Sequence, residues 1–238
     1  MYQGMRRIKT VAILYFCILN FRYTHCSSPS DSLEVTSVED VYDYLWENNK
    51  DIAAKTLHLD FLRQMENGTL QAERYVNFTM QDLNYALKVG DMLKKMSANE
   101  SLPIDIKKLL EGRYASYRKL SDFMMKIYWF EAEPQIQQTP AMRKYLSTYT
   151  NLMLAEEPVY FVVGLVPCAR LWGWLANNLN IPPTNAYFTW KVGNMGGNHE
   201  KHYKALLNKY LNTADRVAKA NAVFHAQMQN EHDFFLTS

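Results

Sequence analysis

Cys168, Asp82 and Glu231 are the side chains in this sequence best suited to covalent and acid–base chemistry, and each has an aromatic partner at helical spacing. Asp82 and Tyr85 are three apart, Glu231 and Phe234 are three apart, and Cys168 and Trp172 are four apart. On helices such pairs share a face. Three faces of this kind meeting inside a bundle would form an apolar slot with a few directed polar groups, the usual character of a small-molecule site. The cysteine count leaves two readings of Cys168. Cys17 and Cys26 both fall in the first 26 residues, so Cys168 is the only later cysteine; an unpaired thiol is either a buried apolar side chain or a reactive group. Pro167 precedes it. Within a helix, proline removes a backbone donor and displaces the carbonyl four residues earlier, so a kink at this point is expected to present the sulfur to a cavity or simply to accommodate packing.

The elements that must carry these residues read as helices. Ser37-Val-Glu-Asp opens a helix bearing Val41, Tyr42, Leu45 and Trp46, with Ser37 as the expected cap. Asn67-Gly68 marks a turn, after which a long helix spans about 71–96. Pro103 starts a second long helix over about 104–133, with Leu109, Tyr114, Tyr117, Leu120, Met124 and Ile127 at helical spacing. Further helices are expected at about 141–154 and 157–179, a short one carries Tyr187 and Trp190, and one interrupted helix or two fill 199–235. Alternating strand patterns are rare. The fold class is all-α, a helical bundle in a single domain over 38–238.

Ordered along this frame are several local patterns. They are Asp60-Phe-Leu-Arg-Gln-Met-Glu-Asn-Gly-Thr-Leu, Met80-Gln81-Asp82-Leu83-Asn84-Tyr85, Tyr145-Leu-Ser, Leu165-Val-Pro-Cys168, Tyr187-Phe-Thr-Trp190 and Glu231-His-Asp-Phe234-Phe235. In this order the set resembles the TenA/thiaminase II family over roughly residues 57–235. The resemblance implies a haem-oxygenase-like helical fold, a homo-oligomer, and a small-molecule substrate, either thiamine or its aminopyrimidine fragment. It places active-site positions on Asp82, Tyr85, Tyr145, Cys168 and Glu231, with Phe234 in the wall. Two positions depart from the family. Trp172 stands where the family often has Tyr, and Asn194 stands where it tends to have another; both are carried forward as substrate-contacting positions that lack a phenol hydroxyl.

The residue types suit the chemistry that the resemblance implies. Thiol-mediated cleavage of an aminopyrimidine needs a thiolate to add to the ring, an acid to protonate a ring nitrogen and an acceptor to orient the exocyclic amine. Cys168, Glu231 and Asp82 have the types for these roles in turn. Glu231 would need a raised pKa, which burial against Phe234 and Phe235 would supply. The acceptor that replaces the leaving thiazole is water, an amine or a thiol. Salvage of a free aminopyrimidine, and binding of thiamine or the pyrimidine without turnover, are the alternatives.

Other features bound the function. Residues 1–26 have the order of a secretory signal peptide, with Arg6, Arg7 and Lys9 before an apolar run at 11–21 that is too short to span a bilayer as a helix; the competing reading is a signal anchor. Residues 27–37 form a polar leader. Without the first 26 residues the chain holds 22 basic and 24 acidic residues, so no basic stripe argues for nucleic acid, and no membrane association is expected after cleavage. Three sequons, at Asn67, Asn77 and Asn99, fit a secreted, extracellular glycoprotein; Asn67 and Asn99 fall in expected turns, whereas Asn77 falls in a helix and is expected to be inaccessible. His199, His202, His225 and His232 lack the paired Glu-x-x-His pattern of di-iron bundles, and His58 alone is a weak axial ligand, so no metal and no cofactor is expected. Hydrophobic residues make up 48% of the chain, enough for a packed core.

Overall fold

The computed structural model describes residues 38–197 and 200–238, and they form helices joined by short connections. The proposed signal peptide at 1–26, the polar leader at 27–37 and His199 lie outside the described residues. Among the described residues there is no strand. The helices are α1 (Val41–Glu47), α2 (Lys50–Leu57), α3 (Asp60–Asn67), α4 (Ala72–Ser97), α5 (Ile104–Ile127), α6 (Pro140–Ala155), α7 (Pro158–Asn178), α8 (Phe188–Asn194), α9 (Glu200–Tyr210) and α10 (Ala214–Leu236).

Local chemistry sets most of the boundaries. Thr139 accepts from the Met142 N–H and Pro140 follows it at the first helical position, so α6 begins there. Thr213 caps α10 in the same way through the Arg216 N–H, and Pro158 opens α7. The first helix starts later than its sequence suggests: Asp40, not Ser37, is the cap, and its carboxylate accepts from the Asp43 N–H. The 199–235 stretch resolves into two helices, α9 and α10.

The α5 helix differs most from expectation. It ends at Ile127 rather than near Glu133. The chain then turns through Trp129, a non-glycine residue at φ 58°, and the Phe130 N–H returns to the Met125 carbonyl. The Tyr128 hydroxyl meets Thr79 Oγ1 on α4 at 2.5 Å, which ties the turn to the neighbouring helix. The buried face of α5 carries Ile106, Leu110, Ser121 and Met124, whereas Leu120 and Ile127 from the expected stripe are exposed. A helix that packs one face against α4 needs only a narrow stripe, so its outer apolar residues mislead a periodicity reading.

The two helices at the centre of the core are α7 and α10, which pack on each other and on α6; α10 also packs on α2 and α3. The α7 helix is long and apolar enough to cross a membrane by length and composition, but most of it is buried inside the protein, so its apolarity is that of a core helix. Pro167 lies inside α7 without ending it. The α4–α5 pair closes one side, with α4 packed on α6. Four helices therefore bring Asp82 and Tyr85 (α4), Tyr145 (α6), Cys168 and Trp172 (α7), and Glu231 and Phe234 (α10) inward.

Gly68 ends α3 in the left-handed conformation, φ 70°, and the Thr69 and Leu70 N–H groups turn back to the Gln64 carbonyl. A side chain is strained there. Gly68→Ala, which keeps the Asn67 sequon, is expected to lower the unfolding free energy by about 1–2 kcal/mol in a denaturant titration; an unchanged midpoint would show that the turn does not need this conformation.

Candidate functional site

Glu231 is the hub of the interior cluster. It is 1% exposed, yet both carboxylate oxygens have donors: the Tyr145 hydroxyl donates to Oε1 at 2.5 Å and the Trp172 indole N–H donates to Oε2 at 2.9 Å. The Cys168 thiol shares this interior, and its titration and that of Glu231 act on each other. Burial raises the carboxyl above its ordinary range, and these donors, Tyr145 first, hold it partly down. The upward direction is the one its expected acid role requires.

Cys168 and Asp82 keep partial exposure although Tyr85, Tyr145 and Glu231 beside them are buried. Asp82 has no hydrogen-bond partner among the described residues, and burial, followed by the Glu231 charge, pushes its carboxyl up to about 7. A half-buried carboxyl without a protein partner is a ready acceptor for a ligand N–H. Burial also pushes the Cys168 thiol well up, and the charges of Glu231 and Asp82 push it further. At rest Cys168 is held as a thiol, because an apolar setting and two carboxyls oppose a further negative charge.

A row of hydrogen-bonded tyrosines runs from α5 through α4 to α6. The Tyr85 hydroxyl is 3.2 Å from that of Tyr117 and 2.9 Å from that of Tyr149, and Tyr149 donates to the Gly164 carbonyl at 2.8 Å. On the other flank the rings of Trp172, Phe78 and Phe234 lie nearly parallel, with Phe78 and Phe234 centroids 5.0 Å apart and Phe78 and Trp172 5.6 Å apart. Trp190 packs on Trp172 at 5.9 Å, and its indole N–H is buried without a partner.

An open cavity of about 700 Å³ adjoins this aromatic wall. Phe78 and Phe234 line it together with Arg74, Gln81, Gln137 and Thr139, but Cys168, Asp82 and Glu231 do not. The catalytic candidates are therefore set deeper than the cavity, on the far side of rings that belong to both.

Of the residues expected in the site, Asp82, Tyr85, Tyr145, Cys168, Trp172, Glu231 and Phe234 come together. Asn194 does not join them: it is half-exposed on α8 and turns its amide back to the Trp190 carbonyl of its own helix at 2.8 Å. Trp172 does more than its sequence suggested. The phenol is absent, but the indole supplies a donor to Glu231. Sequence reasoning missed Phe78 and Tyr149; each stands four residues from a named candidate, Asp82 and Tyr145, on the same helix face. It read Tyr117 only as core.

The histidines lie elsewhere. His225 and His232 bond Asn49 and Thr56 on the opposite side of α10, and His58 and His202 are exposed. Asp40, Asp43 and Glu200 cluster closely enough to suit a cation, but Lys204 sits among them as an ion-pair partner. The sequon asparagines Asn67, Asn77 and Asn99 are all exposed, so the expectation that Asn77 is inaccessible is corrected: it sits on the outward face of α4, with its sequon Thr79 turned inward.

No family model and no curated protein matches the sequence. Solved structures do. The chain is similar to a TenA homologue from P. horikoshii OT3 (17% identity, TM-score 0.65, covering 82% of this chain and 96% of that one). It is similar to a protein described as a TenA family transcription regulator from Silicibacter sp. TM1040 (14% identity, TM-score 0.71, covering 83% and 95%). A TenA homologue from Pyrococcus furiosus aligns with it at 14% identity and TM-score 0.67, covering 82% and 98%. At these identities the likeness is one of fold, and the chain has the haem-oxygenase-like helical fold of the TenA homologues.

Proposed function

We propose that the protein is a thiaminase, which cleaves thiamine between its aminopyrimidine and thiazole rings with Cys168 as nucleophile. The observation that carries this reading is a half-buried thiol that shares one apolar interior with a buried carboxyl, Glu231, held by Tyr145 and Trp172, and with a second carboxyl, Asp82, that has no hydrogen-bond partner among the described residues. The reading also rests on the sequence patterns that resemble the TenA/thiaminase II family and on the shared fold. Export through residues 1–26 and N-linked glycosylation belong to the same proposal; a secreted enzyme of this kind would act on intact thiamine outside the cell.

The geometry suggests how protons move. Glu231 takes the thiol proton as sulfur adds to a ring carbon of the pyrimidine, and passes that proton to a ring nitrogen. The adduct is then neutral at the pyrimidine. Asp82 accepts from the exocyclic amine and fixes the ring. The thiazole departs with the electron pair of its bond to the methylene and leaves as a neutral molecule. Water, an amine or a thiol adds to the methylene and loses a proton to solvent. Sulfur is expelled, and the ring nitrogen returns its proton to sulfur through Glu231. Tyr145 and Trp172 hold the carboxyl in place throughout. The rings of Trp172, Phe78 and Phe234 give the slot its flat wall.

A reading without turnover is favoured by one observation, the protonated thiol. The deciding experiment is incubation of purified protein with thiamine, with and without an added amine, and identification of the products. Release of thiazole is expected, and Cys168→Ser should fold normally yet lose nearly all of it, because a serine hydroxyl stays protonated near neutral pH. Wild-type turnover by that variant, or intact thiamine after incubation with the parent protein, would leave a binding protein. Assay of a free aminopyrimidine in parallel separates salvage from degradation.

Glu231→Gln should slow turnover by about 10²–10⁴-fold while binding changes less, since the amide keeps the shape but carries no proton between sulfur and ring. A loss of less than about tenfold would reassign the role.

Asp82 gives a pH signature. Its carboxylate, the acceptor form, fills in as pH rises through about 7, so affinity for a free aminopyrimidine should increase between pH 6 and 8. Asp82→Asn should bind more weakly and flatten the profile. Calorimetry across that range checks it; a wild-type profile that is flat or falling would place the amine contact elsewhere.

A further inference from the structure

We infer that Gln81 is a positioning residue: its side-chain amide holds the start of α6 to α4, and so sets the reach of Tyr145 on α6 to Glu231. The inference deepens the reading of Glu231 as the proton carrier and rests on that reading for its meaning, but its test does not need turnover.

The need for it arises in the chain just before α6. The Gln137 carbonyl and the Thr139 N–H precede the first turn, where the helix itself offers them no partner. Gln81 supplies both partners. Its Nε2 donates to the Gln137 carbonyl at 2.9 Å, and its Oε1 accepts from the Thr139 N–H at 3.2 Å. A planar amide with donor and acceptor side by side has the shape of a peptide group, so it pairs with this segment as the backbone of an adjacent strand would. Gln81 is buried, which commits its amide to the pairing. Thr139 passes the constraint on. Its hydroxyl accepts from the Met142 N–H at 3.2 Å and its carbonyl from the Arg143 N–H at 3.0 Å, so α6 grows from the bracketed residue.

A second tie fixes α6 farther along. Tyr149 bonds Tyr85 of α4 at 2.9 Å and donates to the Gly164 carbonyl of α7 at 2.8 Å, and Thr148 beside it meets Asn230 of α10 at 3.1 Å. Tyr145 lies between the two ties, six residues after Thr139 and four before Tyr149, and donates to Glu231 Oε1 at 2.5 Å. Asp82 lies between the same ties on α4, next to Gln81 and three residues before Tyr85. With both ties in place α4 and α6 have one relative setting. The two carboxyls, one carried by α4 and the other gripped from α6, then have one spacing. Without the first tie α6 is free to pivot about Tyr149, and the end that carries Tyr145 swings away from Glu231. The other contact near that end, Lys144 with Asp233, is an exposed ion pair of the kind that holds little.

The test reads the Tyr145 and Tyr149 phenol resonances in the full chain labelled with carbon-13 at the tyrosine Cζ, each assigned by its loss in Tyr145→Phe or Tyr149→Phe. Gln81→Met keeps the length of the side chain and removes both bonds. The Tyr145 resonance should then move toward that of a free phenol, while that of Tyr149, the pivot, keeps its place. Gln81→Glu isolates the bracket itself. An ionised carboxyl accepts from Thr139 but gives nothing to Gln137, whereas a protonated one does both. Gln81 lines the open cavity, so the introduced carboxyl exchanges protons with solvent. The charged or titratable groups near it are Arg74 in the same cavity, Asp82 beside it on α4, and Arg143, which bonds the Gln138 carbonyl at 2.7 Å. Against the parent at the same pH, the Tyr145 resonance of Gln81→Glu should coincide at low pH and depart as pH rises through the titration of the introduced group, whereas that of Gln81→Met departs at every pH. Titration of Glu231 and Asp82 is common to all three proteins and drops out of the comparison. An unmoved Tyr145 resonance in a folded but less stable Gln81→Met would leave Gln81 a structural residue only, and joint movement of Tyr145 and Tyr149 would mean general loosening; either overturns the inference. Should Gln81→Met fail to fold, Gln81→Glu decides alone: a return to the parent position at low pH supports the bracket, and a displacement that ignores pH, or none at all, overturns it. Where thiamine is turned over, Gln81→Met should lower kcat by up to about 10²-fold with KM changed less. A negative thiamine assay leaves the resonances standing, and unmoved resonances leave the thiamine assay standing.

Discussion

A carboxyl group that is almost wholly out of water must be met by donors or lose its charge, and Glu231 imposes that condition on three helices at once. Its oxygens take hydrogen bonds from Tyr145 on α6 and Trp172 on α7, while it is itself carried by α10. An error of an ångström in the packing of any of these helices would strand the carboxyl. The α7–α10 packing, the threonine caps that start α6 and α10, and the N-terminal proline of α7 can all be understood as fixing this register. Removing one donor would cost more than the net value of the bond, because the remaining oxygen would be buried without a partner.

The same burial sets the chemistry. Sulfur and two carboxyls share one apolar setting, and each is pushed toward its protonated form. Three neighbouring acids cannot all ionise there. Proton transfer between them is then cheaper than proton exchange with water, and a proton that leaves sulfur can reach a bound ring without a solvent step. That is the physical reason to place the thiol against Glu231 rather than against a basic residue: a cation would fix a thiolate, whereas a carboxyl takes the proton and can give it back.

Much of this was legible in the sequence. Helical spacing and the proline and glycine breaks place most of the helices, and the aromatic–polar pairs at three and four residues identify the inward faces of α4, α7 and α10. What sequence spacing cannot convey is which atom of a side chain meets which. Trp172 read as a loss because the reading tracked hydroxyls; only the packing of α7 on α10 shows that the indole N–H reaches Glu231. Asn194 read as a substrate contact that had lost a phenol hydroxyl, but a helix-terminal asparagine finds its own backbone first. The end of α5 was hidden because the turn at Trp129 and the Thr79–Tyr128 contact are decided by the neighbouring helix and not by local propensity.

Tyr149 shows the limit most clearly. In the sequence it is one more aromatic in the core stripe of α6, and its ring is fully buried as such a stripe requires. Its hydroxyl must then find an acceptor, since a buried hydroxyl without one costs free energy. Gly164 offers its carbonyl at a close approach of α6 to α7: a Cβ there would lie 2.9 Å from the end of Leu152 and in ordinary contact, 3.6 Å, with a Tyr149 ring carbon. A packing requirement thus dictates a proton direction: Tyr149 gives its proton to Gly164, so Tyr85 gives its own to Tyr149. The core and the candidate site are therefore not separate layers of this fold; the close contact of α6 with α7 at Gly164 determines where the Tyr85 hydroxyl proton goes.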